Sequence, residues 1–325
     1  MVATNSSSPV AIASAKLQRA TETVLRSIAI DALALGAGMT LPKGDSYRER
    51  LGVGAGTVQQ AFQILATAEA LTTQSRGHLG RQIVESRIDR LWQIAELDPV
   101  RLVLPPRGPL EVRAMAEFSA TSFRRLDIPY AIAHRRGASE RIDAVRAGDA
   151  DVAIVSSGVA AQLVGANDPD LEQLVHAEGT FYAPNRLLVL GGEGRRVAID
   201  SNSWDQRRLT ELEFPEEEGF EYVEVDFPRV PVEILRGNVD VGIWHEMQTL
   251  ISPTLAGLHV RQPRRAATHT MLEQSSAAVM LVSKARPELQ SVLGSLHNRD
   301  FARRVSELTS LPDDSPELLD LFWTV

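Results

Sequence analysis

The sequence predicts a two-part α/β chain, a small helical head closed by a hairpin and a larger body of alternating strands and helices. Three observations carry this. Residues 16–86 hold two short helical stretches around a glycine turn, followed by a Gly-rich hairpin pattern. From Leu102 onward, short apolar runs alternate with amphipathic stretches, the mark of a mostly parallel sheet. Charge is also divided. Residues 1–90 hold ten Lys and Arg against seven acids, a net +3, so the other 235 residues carry −11 and the whole chain −8. A basic head on an acidic body points to a polyanion-facing module joined to something else.

The head begins with a predicted helix over 16–35, where Leu17, Ala20, Val24, Ile28, Ala32 and Leu35 recur at helical spacing. Gly36-Ala37-Gly38 ends it. A short helix over Ser46–Leu51 then runs into Gly52-Val53-Gly54, and a second helix starts near Ala55. Its apolar face is Val58, Ala61, Phe62 and Leu65, so Thr57, Gln59, Gln60 and Gln63 face elsewhere. This is a helix-turn-helix pattern, whose second helix fits the major groove, and Gln can pair with adenine through two hydrogen bonds. Leu71–Gln74 and Arg81–Val84 read as strands of a wing, with Arg76, His78 and Arg81 about its turn. Arg48 joins these as a phosphate contact. The bland alternative is that the apolar stripes are only core and the arginines only solvated.

LPKGDSYRERLGVGAGTVQQAFQILATAEAL followed by SRGHLGRQIV resembles the winged helix-turn-helix of GntR-type bacterial regulators, over residues 16–86. Gly54-Ala55-Gly56 departs from the Ser and Arg often found before the TV pair, which shifts phosphate anchoring toward the wing arginines and Arg48.

Residues 1–15 read as a disordered tail and 87–100 as a linker. In the body, two heptads align at an offset of 89 residues: Gly148-Asp-Ala-Asp151-Val-Ala-Ile154 and Gly237-Asn-Val-Asp240-Val-Gly-Ile243. Each has a helix-ending Gly and then an Asp opening a strand. Their equivalent places predict two similar lobes, the first over 101–186 and 277–325 and the second over 187–276. Leu187–Leu190 and Ala277–Val282 are the candidate crossing strands, and the helices over 287–297 and 301–308 are expected on the first lobe. The arrangement resembles the type II periplasmic-binding-protein fold that LysR-type effector domains also use. With the winged head, and with LPPRGPLEV opening the body, the whole resembles the YhfZ family of regulators.

In such sheets ligands bind beyond the carboxyl ends of the strands. Four ends are readable: Arg107 and Gly108; Ser156 and Ser157; Ser201, Asn202 and Trp204; and Trp244 with His245. Free N–H groups, hydroxyls and Arg107 there favour a small anionic metabolite. Taken singly, the Ser and Asn residues also fit as ordinary N-caps and the tryptophans as packing.

Other classes find little footing. With no cysteine there is no disulfide framework, thiolate metal site or Cys nucleophile. No nucleotide-binding or hydrolase motif is present, and the seven histidines lack metal-site spacing. An enzyme on this body would find its acid–base pair in Asp200 and His245, should they meet in the cleft. The N-terminal residues lack the pattern of a secretory leader and no apolar run approaches about 20 residues, so the expected address is the cytoplasm. The reading is of a homodimeric DNA-binding regulator, a repressor, with double-stranded operator DNA and a small-molecule effector as partners. It needs no cofactor, no metal, no membrane and no catalytic residue. The alternative is an enzyme or a solute-binding protein on the same body.

Overall fold

The computed structural model describes residues 9–77, 80–294, 296, 298–312, 315–320 and 323, and divides into two compact units. The first takes residues up to Pro99 together with 124–129 and 286–295. It opens with α1 (Pro9–Leu35), which starts inside the stretch read as a tail. After β1 (Thr40–Leu41) come α2 (Gly44–Leu51) and α3 (Ala55–Thr67). Gly52 caps α2 in the left-handed conformation, φ 65°, and the Val53 N–H returns to the Arg48 carbonyl. That geometry turns the chain within three residues, as the Gly-containing turn requires.

The buried face of α3 is Val58, Ala61, Phe62 and Leu65, and it packs on α1, which buries Val24, Ile28, Ala32 and Leu33. Full burial of such side chains contributes roughly 1.5–3 kcal/mol each, so tertiary packing outweighs helix propensity here. Strands β2 (Leu71–Ser75) and β3 (Arg81–Ser86) pair antiparallel and β1 adds to the far edge of β3, giving the order β1-β3-β2. The stretch 87–100 contains α4 (Ile88–Ile94), whose Leu91 and Trp92 are buried against α1.

The second unit holds two mixed five-stranded sheets. The first sheet uses β4 (Val100–Leu104), β5 (Tyr130–His134), β6 (Val152–Ser156) and β7 (Leu171–Val175), with α5 (Leu110–Arg125), α6 (Ala138–Arg146) and the short α7 (Ser157–Val159) between them. The second uses β8 (Leu187–Gly191), β9 (Arg196–Ile199), β10 (Glu221–Glu224), β11 (Val241–His245) and β12 (Val260–Arg261), with α8 (Trp204–Glu213) and α9 (Val230–Leu235). After α10 (Ala266–Gln274), β13 (Ala278–Ser283) returns to the first sheet, antiparallel to β6 and β7. The orders, β5-β4-β6-β13-β7 and β10-β9-β11-β8-β12, are the same topology twice. In each sheet the antiparallel strand beside the parallel trio is the one reached by crossing over, β13 or β8. These sheets resemble the two lobes of type II periplasmic binding proteins.

The sequence repeat has a physical basis. Asp151 follows the cap Gly148 (φ 77°) and accepts the backbone N–H of Arg101 at 2.9 Å, while its own N–H goes to the Arg101 carbonyl at 2.8 Å. Asp240, after Gly237 (φ 73°), does the same to Arg196, again at 2.9 and 2.8 Å. Each Asp also pairs with the guanidinium of that arginine. The repeated Asp therefore staples the start of β6 to β4 and of β11 to β9.

Helix α11 (Pro287–Gly294) packs along α1 and counts with the first unit, where the sequence placed it on the first lobe. Its stripe of Leu289, Val292 and Leu293 is buried, as the pattern requires, but against the head. Helix α12 (Asn298–Thr309) does join the first lobe, where Phe301 stacks on Phe118 of α5 at 5.3 Å. A last turn, α13 (Pro316–Leu319), lies near the chain end. No helix among the described residues is long and apolar enough to cross a membrane.

Candidate functional site

Within the second unit, a cavity of about 60 Å³ lies where strand ends of both lobes meet. From the first lobe come Pro105 and Pro106 after β4, Arg136 and Gly137 after β5, and Arg141 of α6. From the second come Asp200 after β9, Trp204 and Asp205 at the start of α8, Phe227 after β10, and His245 at the end of β11. Phe181 and Tyr182, on the segment that leads into β8, close it. This is where the carboxyl ends of parallel strands leave a crevice.

Its polar groups form two linked sets. In one, Asp200 accepts from Arg136 Nη2 at 2.8 Å, from the Phe227 N–H at 3.0 Å and from the Asn202 N–H at 3.1 Å. Arg136 also reaches Asp226 at 2.5 Å, so one first-lobe arginine holds two second-lobe carboxylates. In the other, the fully buried Glu111 of α5 accepts the Ala183 N–H at 2.9 Å and faces His245 Nε2 at 3.1 Å. Tyr182 lies over the His245 ring at 5.0 Å and donates to Asp205 Oδ2 at 3.1 Å.

The two buried acids are driven apart. Burial raises Glu111, but His245, Arg186 and the Ala183 N–H outweigh it and hold the carboxyl below its ordinary range. Burial pushes Asp205 up to about 6 against the Ser156 and Tyr182 hydroxyls and the Arg141 and His245 side chains. Burial likewise brings Arg141 down to about 10, while its Nε donates to the Ile154 carbonyl and its Nη1 to the Arg135 and Gly137 carbonyls.

The profile of the YhfZ C-terminal domain matches residues 88–307, more than half of the chain. The chain belongs to the YhfZ family. It is 27% identical to the YhfZ protein of Escherichia coli (strain K12) over 195 residues, 58% of this chain and 63% of that one, so it spans less than two thirds of that relative's length. The crystal structure of YhfZ from Shigella flexneri covers 69% of this chain and 95% of its own, at 22% identity and a TM-score of 0.53, a likeness of fold. A periplasmic substrate-binding protein of an ABC transporter from Coxiella burnetii covers 64% of this chain and 96% of its own, at 14% identity and a TM-score of 0.43.

In this YhfZ-family chain the residues singled out by sequence are scattered about the cavity. Trp204 and His245 line it, and Trp204 packs on the apolar cluster of the first lobe. Asp200 and His245 both line it but hold different partners, Arg136 and Glu111. Ser156 is fully buried and caps α7 by accepting the Val159 N–H at 3.1 Å. Ser157 is tied to the Gln274 carbonyl and the Ala277 N–H. Ser201 is exposed and pairs with Glu224, and the Asn202 N–H serves Asp200. Trp244 is buried in the second-lobe core with Leu190 and Val230. Neighbours on a strand face opposite ways, so Trp244 and His245 cannot both reach the cavity. Arg107 is exposed and lies over the Trp323 ring at 4.9 Å, and Gly108 approaches Met247 closely. Neither lines the cavity.

Arg136, Tyr182 and Asp205 were missed. The strand-end rule reaches Arg136, because β5 also ends at this crevice. Asp205 gives only the signal of an acid in the first turn of a helix, which ordinarily reads as a dipole partner.

In the head, Gln59, Gln60 and Gln63 are exposed along one side of α3, and Thr57 is half-buried at its start. Arg48 is exposed and paired with Asp45 at 2.7 Å. Arg76 is exposed after β2, and Arg81 lies over the Phe62 ring at 4.7 Å. His78 lies outside the described residues.

Proposed function

We propose that this YhfZ-family protein is a DNA-binding transcriptional regulator, a homodimeric repressor, whose two-lobed domain senses a small molecule in the cavity between its lobes. The observation that carries the reading is α3, which follows a glycine turn and keeps Gln59, Gln60 and Gln63 exposed while its other face is core. Uncharged amides on an exposed helix face suit base edges, and Arg76 beside the hairpin suits phosphate. The cavity supports binding more than catalysis, since His245 is committed to Glu111 and Asp200 to Arg136. The reading is of a cytoplasmic protein.

Retention of DNA from the region upstream of its own gene, at low and moderate salt, tests this. Salt-sensitive retention is expected. Arg76→Ala should weaken it for all sequences and reduce the salt slope by about 1. No retention even at low salt defeats the reading. An effector that weakens DNA binding must be weakened by DNA in the same proportion.

A further inference from the structure

We propose that the cavity takes a small zwitterion, its ammonium set against Asp205 and its carboxylate against Arg136, the chemistry of an amino acid. This rests on reading the cavity as the effector site. Two polar atoms of its wall are buried without a hydrogen bond of ordinary geometry: Asp205 Oδ1, an acceptor whose carboxyl has the Ser156 hydroxyl beside it, and Arg136 Nε, a donor. Asp205 as a whole is only 4% exposed. Native structures rarely strand such atoms, and one unmet acceptor with one unmet donor describes a ligand that brings the complement of each.

The rest of the wall narrows the class. Arg136 and Arg141 face Asp200 and Asp205, so the charge is balanced. A simple anion meets two carboxylates there, and a simple cation meets two guanidiniums. Trp204, Phe181, Phe227 and Met115 supply the apolar remainder, which suits a short side chain. At about 60 Å³ the enclosed space is small, which suits a small ligand. The anion predicted from Arg107 loses its main partner, because that residue lies on Trp323.

An ammonium needs the Asp205 carboxylate ionised. The groups around it are Tyr182 on the connecting segment, Arg141 on α6, Ser156 at the end of β6 and His245 on β11, and the acid is pushed up to about 6 among them. Affinity should therefore fall as pH is lowered from about 7.5 to about 5.5.

The test is thermal shift followed by calorimetric titration of the full chain with the common L-amino acids. Controls are the matching deamino acids, the matching amines, acetate and inorganic phosphate. At least one amino acid should raise the melting temperature in proportion to its concentration, while its deamino and decarboxylated counterparts do not. Asp205→Asn, which keeps the shape, should weaken that binding by about tenfold or more, or about 1.4 kcal/mol. Arg136→Gln should weaken it too. The proposal is overturned if no amino acid binds, if acetate or phosphate binds as well as any amino acid, or if binding survives Asp205→Asn unchanged. Loss of DNA retention with amino-acid binding intact defeats only the regulator reading, and the reverse defeats only the ligand class.

Discussion

Glu111 and Asp205 are both buried in the second unit, yet burial prevails at one and partners prevail at the other. The consequence for stability has opposite signs. Asp205 is raised from 3.8 to about 6, so its contribution is fully present below about pH 4 and is lost as pH rises through about 6. Asp205→Asn removes that penalty and is expected to make the ligand-free protein more stable at pH 8 by about 1–3 kcal/mol. Urea unfolding at pH 8 and at pH 4 checks this, since the advantage should vanish at pH 4. Glu111 is depressed, so its contribution is present above the unfolded carboxylate pKa and is lost as pH falls through the lower folded value. Glu111→Ala leaves the Ala183 N–H and His245 without their carboxylate, and should cost about 3 kcal/mol at neutral pH in the same unfolding measurement. A change below about 1 kcal/mol means that water or His245 alone replaces it.

At the scale of elements, the turn between α2 and α3 depends on one backbone conformation. Gly52 holds φ 65° with open space where a side chain would go, so an added Cβ meets strain in the backbone and nothing else. Gly52→Ala should therefore lower stability by about 1 kcal/mol without disturbing the core, seen as a small fall in melting temperature. This turn, the two helices and the hairpin were legible in the sequence because their signals are local: a period, a glycine, a pair of strands. The Asp151 and Asp240 staples were legible as a repeat for the same reason, although only the structure gives their partners, Arg101 and Arg196. What was not legible is which surface an apolar stripe covers. The face of α11 announces burial and is silent on whether lobe or head receives it. Arg136 and Asp205 were hidden differently, because a charged residue after a strand and an acid in a first helical turn are common on any surface. Only the meeting of distant strand ends makes them a site.

At the scale of the molecule, the second unit repeats one sheet topology and places its polar cavity between the two copies. One link across that cavity is Arg136, which reaches from the first lobe to Asp200 at 2.8 Å and Asp226 at 2.5 Å, beside the buried Glu111–His245 contact at 3.1 Å. An arginine about a third exposed is ordinarily a weak contributor. Asp200, however, has a side chain only 1% exposed, and removing its cation leaves a buried carboxylate with backbone N–H groups alone. The packing of Trp204 on the first-lobe cluster is a competing link that charge does not affect. These links can be separated. If the ion pairs hold the lobes, Arg136→Ala in the full chain should speed amide hydrogen exchange over residues 200–206 and 226–229, while exchange at the β4 and β9 staples stays as it was. High salt should reproduce part of the effect in the unmodified protein, since Asp226 is half-exposed and open to screening. Unchanged exchange in the variant assigns the closure to Trp204 packing or to the Glu111–His245 contact, and Trp204→Ala and Glu111→Gln, measured in the same way, tell the two apart.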